Sequence, residues 1–148
     1  MLKTQPALAD LYLEDETAWL DAMAELLRLG SYSSLDHEHL QEYLEDMGRS
    51  QRREVHNRLA LLLAHILKWL YQPDRRSGGW RATIQVQQRD LNRNAGKGVL
   101  RRHMEECLAA AYRDAIDYAS AETLMPPADF PRECPWTLAE VLSFVPED

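Results

Sequence analysis

Between Leu59 and Tyr71 the chain reads LALLLAHILKWLY, which is apolar on almost every side when wound at 3.6 residues per turn. Broken by His65 and Lys68, the stretch is too short for the roughly 20 apolar residues of a membrane span. A helix without a solvent face has to be surrounded. The segment therefore predicts an all-α fold of five to six helices packed around a central apolar helix over about 50–72, capped by Ser50 and stopped at Pro73. With 148 residues, 45% hydrophobic and 28% charged, the chain has the size of one domain, and a single helical domain over 1–148 is expected.

The helical period continues on both sides of this anchor. Asp15 is placed to cap a helix that runs to about Leu29 and presents Trp19, Leu20, Met23, Leu26 and Leu27 on one face, with Gly30 at its stop. A second helix starts near Leu35 or Asp36, carries Leu40, Leu44 and Met47 as its apolar stripe, and is expected to end at Gly48. A fourth begins near Trp80, and a long fifth runs from about Val99 to Glu122 with small residues along its buried stripe. The segment MPPADFPRECPW predicts an extended wrap that pins Phe130 and Trp136 to the body. Thr137 and Glu140 form a capping box ahead of a short last helix. Strands of useful length and internal repeats are not apparent.

The net charge of −7 conceals a segregation: residues 1–48 sum to −9, residues 49–102 to +10 and residues 103–148 to −8. The opening MLKTQPALAD lacks the apolar run of a signal peptide, and Cys107 and Cys134 form no C-x-x-C pair. These features predict a cytoplasmic protein with reduced thiols and no membrane partner.

Several landmarks in order resemble a bacterial family, domain of unknown function number twenty-nine, over about 11–142. They are LYLEDETAWL, ELLRLG, SLDHEHLQEYLEDMGRSQRRE, RLALLLAHILKWLYQPDRRSGGWRATIQVQQR, AYRDAIDYA and FPRECPWTL. The chain departs from the family pattern at His37, where an aromatic is usual, at Tyr43, where a second acid follows Glu42, and at Gly79, where a serine is common. The resemblance implies a helical fold and no reaction, cofactor or substrate.

Chemistry-bearing residues concentrate in the middle of the chain. His65 interrupts the apolar helix, with Trp69 one turn on. It reads as a satisfied core histidine or, alternatively, as the centre of an enzyme site with Glu42, Lys68 or Arg81. Asp36, His37, His39 and Glu42 are close in sequence, but His37 and His39 stand about 200° apart on a helix, so a solvated acidic face is expected there rather than a metal site. No nucleophile elbow or phosphate loop is present, and no catalytic residue, metal or cofactor is assigned.

Arg75, Arg76 and Arg81, with Trp69 and Trp80 among them, could hold single-stranded nucleic acid. Neutralisation within the fold or between subunits is the competing reading. The candidate binding residues are therefore Glu42, His65, Lys68, Trp69, Arg75, Arg76, Trp80 and Arg81. The functional expectation is a non-catalytic protein-interaction module that self-associates or binds a protein partner. The alternatives are nucleic-acid binding through residues 49–102 and an enzyme centred on His65.

Overall fold

The computed structural model describes residues 7–148. Six α-helices follow one another, α1 (Leu8–Glu14), α2 (Glu16–Arg28), α3 (His37–Tyr71), α4 (Gly78–Ala95), α5 (Gly98–Thr123) and α6 (Leu138–Ser143), with no strand among the described residues. The all-helical fold around a long central helix is the one the periodicity predicts. The chain divides into two compact units, one ending at Ser50 and the other beginning at Gln51.

In the C-terminal unit, residues Leu62–Trp69 of α3 are buried in unbroken succession. Ile84, Leu91 and Ala95 of α4 join them, as do Met104, Ala111, Tyr112, Ala115, Ile116 and Ala119 of α5 and Leu138, Val141 and Leu142 of α6. The alanines of α5 permit close backbone approach, as their spacing predicts. Ser77 accepts the Trp80 N–H at 3.2 Å and starts α4. The capping box is present: Thr137 Oγ1 accepts from Glu140 N at 3.2 Å, and Glu140 Oε1 accepts from Thr137 N at 3.2 Å. The proline-rich wrap is pinned by Phe130, which is 4% exposed, and by the Tyr112 hydroxyl, which donates to Pro131 O.

In the N-terminal unit, α1 packs on α2, which pairs with the first part of α3 through the Trp19–Tyr43 ring contact. Asp15 accepts the Ala18 N–H at 3.1 Å as the expected cap of α2, and Gly30 takes φ +72, the left-handed conformation that ends helices at glycine. Among the described residues of this unit, only Trp19 and Met23 are fully buried.

The expected boundary at Gly48 is corrected. Neither Gly48 nor Ser50 interrupts the helix: α3 runs unbroken from His37 to Tyr71. A mid-helix glycine costs only about 1 kcal/mol relative to alanine. The flanking RSQRRE contains good helix formers, and Arg49 reaches back over Gly48 to pair with Asp46. Helix α1 is an element the period did not reveal, because its seven residues, about two turns, include none that is fully buried.

Leu63→Ala should lower the unfolding free energy by about 2–5 kcal/mol. Leu44→Ala, at a position 61% exposed, should stay within about 0.5 kcal/mol of the parent. Urea denaturation of both variants checks this.

Candidate functional site

Five of the eight candidate residues meet at the C-terminal end of α3. Trp69 is buried, and two guanidinium groups lie over its indole, Arg76 at 4.9 Å and Arg81 at 5.0 Å from the ring centroid. The same three side chains hold the end of the chain. Trp69 Nε1 donates to Glu147 O at 3.0 Å, Arg76 Nη1 to the same oxygen at 3.2 Å and Arg81 Nη1 to Pro146 O at 2.8 Å. Arg81 Nη2 reaches Asp148 Oδ1 at 3.3 Å, and Arg76 Nε closes on Trp69 O at 2.8 Å. Most of these contacts go to backbone carbonyls, so they read an extended chain rather than its side chains.

Beside this cradle, Lys68 is 3% exposed yet fully served: its ammonium pairs with Glu122 of α5 and lies 4.9 Å from the Trp80 ring centroid. The hydrogen bond from Lys68 holds the Glu122 carboxyl below the usual carboxylate range. His65 is also buried, and its Nδ1 lies 2.9 Å from Leu61 O on its own helix. Burial pushes its pKa below the ordinary histidine value.

Arg75 lies in the exposed turn after α3 and has no side-chain partner among the described residues. Glu42 is exposed on the N-terminal half of α3, in the other compact unit.

The basic middle third is partly neutralised. Arg58 pairs with Glu54 at 3.0 Å and Asp90 at 3.2 Å, and Arg101 with Glu105 at 3.3 Å. Arg89, Arg93, Lys97 and Arg102 are exposed and lack an ion-pair partner among the described residues.

Asp36 organises the N-terminal unit. Its Oδ2 accepts from Trp19 Nε1 at 3.1 Å and lies 2.8 Å from His39 Nδ1, while Tyr12 stacks on the His39 ring with centroids 4.4 Å apart. Burial works against its charge, but the bonds from His39 and Trp19 outweigh it and hold the carboxyl low. Among the described residues, no three His, Cys, Asp or Glu side chains converge as metal ligands.

Sequence reasoning did not single out two further features. His56 Nε2 lies 2.7 Å from Asp114 Oδ2, beside a cavity of about 330 Å³ lined by Asn57, Ala60, Leu61, Asp114 and Tyr118. A cleft of about 550 Å³ lies between α5 and the wrap, with Leu108, Tyr112, Arg113, Arg132, Cys134 and Trp136 among its walls. Helical spacing cannot bring residues 58 positions apart together, so the His56–Asp114 pair left no signal. Both cysteines are free and half-buried, and burial pushes both thiols up, away from nucleophilic character.

The model of one protein family, Domain of unknown function DUF29, matches residues 11–145, nearly the whole chain. No curated protein and no solved structure matches it. Among the described residues no helix is long and apolar enough to cross a membrane.

The lowered pKa of His65 sets a sign for pH dependence. Below the ordinary histidine value, about 6.5, the unfolded chain takes up a proton that the folded chain refuses. Stability is therefore full above that value and falls as the pH drops toward the folded pKa. His65→Leu should flatten this part of the melting-temperature profile between about pH 7 and about pH 5. Separately, Arg81→Ala should speed hydrogen exchange in residues 145–148 while leaving the amides of α3 protected, as read by exchange mass spectrometry.

Proposed function

We propose that this chain, which belongs to the family Domain of unknown function DUF29, is a non-catalytic helical module that works by binding another protein. The observation that carries this reading is the exposed apolar surface of the N-terminal unit. Leu27 is 47% exposed, Leu44 61% and Met47 42%, in a unit whose described residues include only two fully buried side chains. Such a face rimmed by acids is the usual mark of a docking surface rather than of a catalytic pocket. The groups that would serve chemistry in the C-terminal unit are already engaged. His65 is turned to Leu61 O, Lys68 is held by Glu122, and both thiols are half-buried with raised pKa values.

A second reading, nucleic-acid binding, draws on Arg89, Arg93, Lys97 and Arg102, the exposed cations of the middle third. It is the weaker of the two. Arg76 and Arg81, which the sequence offered to nucleic acid together with Trp69, hold the chain's own residues 146–148.

Placing a photo-crosslinking amino acid at position 44 in living cells should give one dominant protein adduct, and Met47→Asp, one turn along the same helix, should abolish it. A crosslinker that reacts only with solvent or nucleic acid at this position would overturn the reading.

A further inference from the structure

Residues 144–148, which follow α6 in the C-terminal unit, form an extended strap rather than a helix. Phe144 takes φ −55 and ψ 132, close to polyproline II, and Val145 is biased the same way because a proline follows it. Of residues 145–148 only Pro146 is buried: Val145 is 64% exposed, and Glu147 and Asp148 are exposed as well.

Three side chains receive this strap, and all of them bring donors. Arg81 Nη1 donates to Pro146 O at 2.8 Å, while Trp69 Nε1 and Arg76 Nη1 converge on Glu147 O at 3.0 and 3.2 Å. Indole and guanidinium groups have no acceptor to offer. Such a site matches a segment that presents acceptors at successive positions. A proline followed by acids is such a segment, since its ring nitrogen has no N–H left to satisfy. Among the described residues, the one polar contact to a strap side chain runs from Arg81 Nη2 to Asp148 Oδ1 at 3.3 Å. The cradle therefore reads Pro-x-acid: a buried ring first, an unrestricted residue second, a carboxylate third. Extended proline segments docked on aromatic side chains are a recurrent mode of peptide recognition, because the ligand is largely ordered before it binds.

The strap is separable from the helix before it. Helix α6 is held by its buried Leu138, Val141 and Leu142, and by Gln88 and Asn92, which donate to Val141 O at 3.1 Å and Leu142 O at 3.3 Å. None of these attachments involves residues 145–148. Detaching the strap uncovers one proline and frees a few hydrogen bonds, while the core beneath α6 stays closed, so the opening is local.

We infer that the Trp69–Arg76–Arg81 cradle is a binding site for an extended Pro-x-acid segment of a partner protein, and that the chain's own residues 145–148 occupy it until that segment displaces them. A strap tethered this closely competes at an effective concentration on the order of millimolar. A short peptide therefore displaces it poorly, and a partner that adds further contacts displaces it well. This site and the exposed apolar surface of the N-terminal unit are built from different residues, so either assignment can fail without the other.

The test is fluorescence anisotropy of a labelled hexapeptide, Ser-Phe-Val-Pro-Glu-Asp blocked at both ends, with the full chain. Two sets of substitutions open the cradle without altering it. Pro146→Gly removes the buried ring, and Val145→Gly with Glu147→Gly, both at exposed positions, loosens the strap's backbone. Each opened variant should bind the peptide at least about tenfold more tightly than the parent, because the internal competitor is weakened. Adding Arg81→Ala to either should weaken binding by about tenfold or more, as should replacing the peptide's proline with alanine. Replacing its aspartate with asparagine should weaken binding less and flatten its salt dependence.

Opened variants with a native circular dichroism spectrum that bind the peptide no better than the parent would overturn the inference, since the cradle would then only fasten the chain's own strap. Binding that survives Arg81→Ala, or that ignores loss of the peptide's proline, would overturn it by placing the peptide elsewhere. Sedimentation velocity separates the two sources of a strap. A dimeric parent that excess peptide splits into monomers would put a second copy's strap in the cradle and overturn its assignment to a different protein.

Discussion

Burial of α3 on all sides between Leu62 and Trp69 is the constraint on which the C-terminal unit depends. A helix without a solvent face cannot discharge polar side chains into water, so every polar residue on it needs a partner from within the protein. His65 solves this locally, through the carbonyl one turn back. Lys68 cannot, because an ammonium needs a counter-charge, and Glu122 near the end of α5 supplies it. Trp80 at the start of α4 covers the same ammonium. A single buried cation thus ties the end of α3 to the end of α5 and the beginning of α4. Removing one member of that pair would cost far more than the pair contributes, which makes it a device for register more than for stability.

The same end of α3 explains where part of the basic charge goes. Arg76 and Arg81 both lie over the Trp69 ring, which a guanidinium tolerates because it is planar and weakly hydrated, and their remaining donors reach the carbonyls of residues 146 and 147. Arginine suits this role better than lysine, since its fork serves a ring face and a carbonyl together.

The helical period showed the central helix, the stripe on α4, the alanine seam of α5 and the capping box, because each is written in residues less than two turns apart. Gly48 misled because a glycine signals a stop only where the chain takes up a left-handed turn, as it does at Gly30 but not within α3. Among the candidate residues, the convergence of Lys68, Trp69, Arg76, Trp80 and Arg81 was legible in part, since they fall within one helix, one turn and the next helix. What they hold was not legible. Backbone carbonyls more than 60 residues away carry no side-chain signature, and neither does the pairing of His56 with Asp114. Glu42 was grouped with them by chemistry alone, and chemistry does not fix distance.

The two units differ in how they are sustained. The C-terminal unit has a core of leucines and alanines that would hold without its ion pairs. The N-terminal unit has a charge balance of −9 over residues 7–50 and a core of little more than Trp19 and Met23, stitched by the hydrogen bonds of Asp36. Like charges spread over so small a body repel one another and lower its stability, while its exposed leucines gain nothing from folding. A cationic, partly apolar protein partner would relieve both penalties, so the unit has more to gain from association than a well-packed neutral domain of the same size.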